Sequence, residues 1–162
     1  GYQGILGASA VTVSAWINTD SAVTGTIMGW GPNTDGQRFG LRIDQGRLRT
    51  ENAGGNVQGR SVINDGIWHH VAVTIQANAT VSYPEVKVWV DGLDDSIPSV
   101  DSQAYDFHAD PDVRIGSRPA VDDRYYIGQI DELRLYDRAL SAAEISWLAH
   151  RTQPFDVPSG TE

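Results

Sequence analysis

The run VTVSAWI, residues 11–17, alternates small polar and apolar side chains with period two. That is the pattern of a strand with one face in a core. The same rule predicts strands in TGTIMGW (24–30), in the pair RFGLRID and RLRTE, in IWHHVAVTI (67–75) and in EVKVWVDG (85–92). Shorter strands are predicted in VRIG (113–116), YYIGQ (125–129) and IDELRLY (130–136). Gln45-Gly46 between RFGLRID and RLRTE predicts a tight hairpin turn, the glycine supplying positive φ. A single helix is predicted over 141–149, because Ser141-Ala-Ala-Glu144 forms a capping box. Many short strands punctuated by Gly, Asn and Asp predict an all-β fold, an antiparallel two-sheet sandwich with one short C-terminal helix.

The 162 residues suffice for one domain with a sizeable core. That domain is predicted to span 1–151. The Pro/Gly/Ser-rich TQPFDVPSGTE, 152–162, reads as a linker to a further domain. The chain opens without Met on sequence that already patterns as folded, which predicts a domain cut from a longer precursor. No run of about 18 apolar residues exists, so no membrane insertion is expected. The absence of cysteine excludes disulfides, thiolate metal sites and a Cys nucleophile. A net charge of −9 argues against nucleic acid as a partner, since phosphate binding needs a basic footprint. Within that charge, 16 of 21 acids are Asp and 11 of 12 bases are Arg, so any cationic chemistry is guanidinium chemistry.

The adjacent carboxylates Asp131 and Glu132 invite an acid/base reading. Neighbours on a regular strand face opposite sides, so they cannot flank one scissile bond. No Gly-x-Ser-x-Gly elbow is present either. The chain is therefore predicted not to be an enzyme. The same alternation puts Asp131 on the face of Leu133 and Leu135. An inward carboxylate needs backbone N–H groups or a cation. Two readings stand: Asp131 accepts hydrogen bonds from a loop or the N-terminal segment, or it is the metal ligand of a structural Ca²⁺ completed by backbone carbonyls.

His69 and His70 also face opposite sides, and His70 reads as a buried structural histidine. Arg38 and Arg42 share one strand face, and Arg47 and Arg49 share one across the turn. They are either a solvated face with cross-strand acids or a site for an acidic or sulfated glycan, through bidentate guanidinium contacts. Arg38, Arg42 and Arg49 are the candidate ligand-binding residues. Trp30, at a strand end beside the loop GWGPNTDG, is the candidate sugar-stacking ring. Trp147 is assigned to the docking face of the helix.

The run IGQIDELRLYDRALSAAEI resembles the C-terminal signature of laminin-G-like, concanavalin A-like domains of bacterial surface and secreted proteins. Gly128, Ile130, Asp131, Glu132, Arg134, Tyr136, Asp137, Arg138, Ala139, Leu140, Ser141 and Glu144 carry the match. VSAWI, DGIWHHVAVTI and VKVWVDG are similar to three further family segments in the same order. The chain departs at its start, where the family's Phe-Asp-Gly-like first strand is reduced to GYQGILG. The resemblance implies a jelly-roll sandwich, secreted or on the cell surface. It also implies a non-catalytic module that binds a polysaccharide, a glycoconjugate or another protein, or serves as a spacer. Calcium is common in such domains.

Overall fold

The computed structural model describes residues 1–121 and 123–151. The segment expected to be a linker, 152–162, lies outside them. Two five-stranded antiparallel sheets face each other. The first contains β1 (Val11–Asn18), β6 (Trp68–Ile75), β8 (Val86–Val90), β9 (Leu93–Asp94) and β12 (Gln129–Tyr136), in the order β12-β1-β6-β8-β9. The second contains β2 (Gly25–Trp30), β3 (Phe39–Asp44), β4 (Arg47–Glu51), β5 (Asn56–Gln58) and β11 (Arg114–Ile115), in the order β11-β2-β3-β4-β5. A two-stranded ribbon, β7 (Thr80–Ser82) and β10 (Val100–Ala104), closes one side, and α1 (Ala142–Arg151) follows β12.

Period-two patterning accounts for the interior. Val11, Val13, Ala15 and Ile17 of β1, with Val71, Val73 and Ile75 of β6 and Val86, Val88 and Val90 of β8, face the second sheet. Phe39, Leu41 and Ile43 of β3 and Leu48 of β4 face back. Trp30 stacks on Phe39 at 4.2 Å between ring centroids, and Phe107 meets both rings edge-on. Its indole N–H donates to the Ile5 carbonyl at 3.1 Å, which ties the N-terminal segment to this cluster. That segment is also bridged to Phe107 through Gly7. The reduced first strand is thus replaced by irregular chain lying along residues 107–113, where Val113 N–H donates to the Tyr2 carbonyl.

The predicted hairpin forms, with Gln45 at φ 52° and Gly46 at φ 74°, the pair of positive values that a two-residue primed turn requires. The helix starts as its capping box dictates. Ser141 N–H donates to Glu144 Oε2 at 2.8 Å, and Glu144 N–H donates to Ser141 Oγ at 3.3 Å. Ile145, Leu148 and Ala149 form the buried stripe, and Ile145 and Leu148 pack with Leu140 on Ala72 and Trp89 of the first sheet's outer face. Thr12 holds the preceding turn against β1: its Oγ1 donates to the Arg138 carbonyl at 2.8 Å and accepts from Leu140 N–H at 2.9 Å.

Of residues 125–129, expected as a strand, 125–128 run instead as a loop and only Gln129 belongs to a strand, as the first residue of β12. Thr26 N–H donates to the Arg124 carbonyl and Tyr126 N–H to the Gly116 carbonyl, so this loop is fastened to β2 and β11. The acidic stretch 91–112 contributes β9 and β10.

Because Trp30 is fully buried against two other aromatic rings, Trp30→Ala is expected to cost about 3–5 kcal/mol of stability, read from urea unfolding.

Candidate functional site

The second sheet's outer face carries a dense network of charged side chains. Cross-strand register brings Arg42 opposite Arg49 and Gly40 opposite Glu51. Gly29 and Gly40 pair on β2 and β3, and Pro119 packs where a side chain on Gly29 would stand. Glu51 Oε1 receives hydrogen bonds from Arg38 at 2.5 Å, Arg42 at 2.8 Å and Arg124 at 3.3 Å. Its other oxygen lies 3.5 Å from Arg49. Asp44 Oδ2 receives Arg42 and Arg49, each at 3.0 Å, and Thr24 donates to its Oδ1 at 3.1 Å. Arg38 also donates to Asn33. Beside them Arg118 and Asp123 form a bidentate pair at 2.7 and 2.6 Å.

Four guanidiniums therefore share two carboxylates, a local surplus of positive charge in an acidic protein. Burial lowers the Arg38 pKa from its ordinary value, and Glu51 offsets only part of that. Partial burial would raise Asp44, but Arg42, Thr24 and Arg49 outweigh it and hold the carboxyl below the usual range. Among the described residues no acceptor meets the buried Nε–H of Arg42 or Arg49.

The expected ligand residues divide. Arg38 and Arg42 are 4 and 6% exposed, so they are the inner members of the network and do not present open guanidinium forks. The side chains of Arg49 and Arg124 are 26 and 30% exposed and form its open edge. Sequence reasoning missed Arg124, which reaches Glu51 across 73 residues from just before the run 125–129 expected to be a strand. Trp30 is corrected outright: at 0% exposure, with both ring faces and N–H engaged inside, it cannot stack on a ligand.

Asp131 is corrected as well. A bulge interrupts the β1–β12 pairing, so that Ser14 opposes Arg134 but Trp16 opposes Asp131. Glu132, at φ 50°, sits in the bulge and reverses the alternation on its N-terminal side. Ile130, Leu133 and Leu135 pack on the core while Asp131 is exposed, its Oδ1 accepting from Glu132 N–H at 2.7 Å. Glu132 is paired with Arg134. The inward carboxylate on which the calcium expectation rested is therefore not formed, and among the described residues no three His, Cys, Asp or Glu side chains converge.

His70 is buried as expected, with Trp16 edge-on at 5.5 Å. Burial pushes its pKa down to about 4; Asp91 opposes that shift, and Arg134 and His150 add to it. His69 is raised from its usual value, first by the hydrogen bond its ring donates to the Asp91 carboxylate at 2.8 Å, with Asp65 accepting from the other ring nitrogen. Trp147, assigned to the docking face, is instead 59% exposed. It lies one residue off the 145/148/149 stripe and stands over a groove of about 410 Å³ between α1 and the end of β12.

This chain belongs to the concanavalin A-like lectin/glucanases superfamily, whose laminin-G-type profile matches residues 3–146. Solved structures agree with that fold. The carbohydrate-binding module CBM40 of the Ruminococcus gnavus IT-sialidase superposes with a TM-score of 0.67 at 16% identity, over 88% of this chain and 84% of that one. Domain 4 of AbnA, an extracellular arabinanase of Geobacillus stearothermophilus solved with arabinotriose, gives 0.64 at 23%, over 90% and 68%. The heptameric pentraxin of Limulus polyphemus gives 0.63 at 19%, over 91% and 72%. No curated protein sequence matches the chain. Among the described residues no helix is long and apolar enough to cross a membrane.

Two outcomes follow from this geometry. Glu51→Gln leaves Arg38 and Arg42 buried without a full counter-charge, and is expected to cost about 3–5 kcal/mol in urea unfolding. The second concerns acid. Unfolded His70 takes its proton near 6.5 and folded His70 near 4, so the unfolded state binds more protons between those values. Stability therefore falls as pH drops through that window, by up to about 3 kcal/mol from this group. His69 acts oppositely, its contribution present at low pH and lost as pH rises through its raised folded pKa. His70→Gln is expected to flatten the fall in urea midpoint between pH 6.5 and 4.

Proposed function

We propose that this domain is a non-catalytic glycan-binding module of a secreted or cell-surface protein, and that its ligand is an acidic saccharide. The observation that carries the reading is the surplus of guanidinium over carboxylate on the second sheet's outer face. Glu51 and Asp44 hold the inner arginines rigid. Arg49 and Arg124, at the open edge, keep donors for a carboxylate or sulfate. Anchored side chains lose little rotamer freedom on binding, which favours affinity. The relatives support the class: structures of the R. gnavus module are bound to α2,3- and α2,6-sialyllactose, and the AbnA domain is in complex with arabinotriose. Opposed to catalysis is the bulge at Glu132, which leaves Asp131 and Glu132 on open surface with partners of their own.

The test is titration with sialyllactose, oligogalacturonate and heparin tetrasaccharide, with neutral lactose as the control. An acidic ligand is expected to bind and to weaken with salt, because exposed charge contacts are screened over about 10 Å at 0.1 M. The double variant Arg49→Ala/Arg124→Ala is expected to lose about tenfold or more in affinity while Arg47→Ala changes little. Binding of lactose alone, or acidic binding indifferent to the double variant, would remove this site from the reading.

A further inference from the structure

The groove beside α1 lies on the outer face of the first sheet, across the sandwich from the arginines. Leu140 and Leu148 form its apolar floor, and Tyr136 and Trp147 supply two aromatic rings. Arg138 and Glu144 stand on its rim, bound to one another by two parallel hydrogen bonds of 3.0 and 2.7 Å. Three features make this more than a crevice. Trp147 is 59% exposed on a helix whose other large apolar residues are buried, and among the described residues its indole has no hydrogen-bond or ring partner. The rim is held from several directions, Glu144 by the Ser141 cap and the Arg138 carbonyl by Thr12 Oγ1. The polar pair is open to solvent, Arg138 and Glu144 being 55 and 43% exposed.

We propose that this groove is a second saccharide subsite, selective for an uncharged sugar. A pyranose or furanose ring has an apolar C–H face and a rim of hydroxyls, and the groove presents the complement of both. The indole and phenol rings offer flat apolar surface. Guanidinium N–H groups and the second lone pair of Glu144 Oε1 offer a donor and an acceptor side by side, as vicinal hydroxyls require. The rim carries no net charge, and Asp137 adjoins it, so an anionic sugar meets no surplus of cation here. Its volume of about 410 Å³ falls within the range of small-ligand sites, roughly 300–1,000 Å³. Among the described residues seven line it, far fewer than the roughly 20–30 a side of a standard protein interface, which disfavours a protein partner.

The experiment is a nuclear magnetic resonance titration of the full chain with arabinotriose, xylotetraose, cellotetraose and maltotetraose, at low and high salt. The expected result is that at least one probe shifts the Trp147 indole resonance and the amides of 136–148, with little dependence on salt. Trp147→Ala is expected to weaken that binding by about tenfold or more, and Trp147→Phe by less. Arg49→Ala/Arg124→Ala is expected to leave it unchanged, so failure of the arginine face and failure of this groove are separable. Trp147 is a surface residue, and an unchanged circular dichroism spectrum confirms that the variants fold. The proposal is overturned if no probe shifts these resonances at about 10 mM, an affinity of only about 3 kcal/mol. It is equally overturned if binding survives Trp147→Ala, or if nuclear Overhauser effects show the indole covered by residues 152–162. Concentration-dependent broadening at Trp147, the mark of a second copy in the groove, overturns it too.

Discussion

Burial of Trp30, Phe39 and Phe107 with the valine-rich strands between the two sheets satisfies one face of each sheet and leaves each with another. A strand cannot present apolar residues inward without presenting alternate residues outward. The first sheet covers part of its second face with α1, which packs on Ala72 and Trp89. Among the described residues no helix lies over the second sheet. It carries charge instead, fastened down by the 116–128 loop, whose Arg124 enters the same network. The two outer faces therefore differ in kind, one aromatic and one cationic.

The cationic face is held by very few groups. Glu51 alone meets four arginines, and two of them are nearly inaccessible to water. A buried ion pair gains little over an apolar substitute, yet breaking it is expensive because the remaining charge is stranded. Rigidity is the return on this arrangement. The guanidiniums at the edge share their carboxylates with those behind them, four cations to two anions.

What could be read from the chain alone were features set by neighbours in sequence. The Gln45-Gly46 turn, the Ser141/Glu144 cap and the alternation of β1, β3, β6 and β8 involve residues a few positions apart. The fold class follows from these. The site was only half legible. The arginine face was visible as a repeat of Arg on one strand side, but its burial was not, since Arg38 and Arg42 are covered by partners on other strands and a distant loop. Trp30 was misplaced because a strand end beside a loop can still point into the core. Asp131 was misplaced for a sharper reason: alternation holds only while register holds, and the bulge at Glu132 adds one residue on β12 that no local pattern announces. Trp147 escaped because one position, about 100° around a helix, separates the buried stripe from solvent.

The position of β1 bears on how the chain is made. It is the first long strand synthesised and lies between β6 and β12 in the finished sheet. Ser14 opposes Ala72 on one side and Arg134, 120 residues later, on the other. At ribosomal speeds of about 5–20 residues per second, that second edge stays without its partner for roughly 6–24 s. An apolar strand with a free edge is a template for the wrong neighbour. The nascent domain is thus most vulnerable to aggregation early in synthesis, and the same ladder that waits longest to form is the one that seals it.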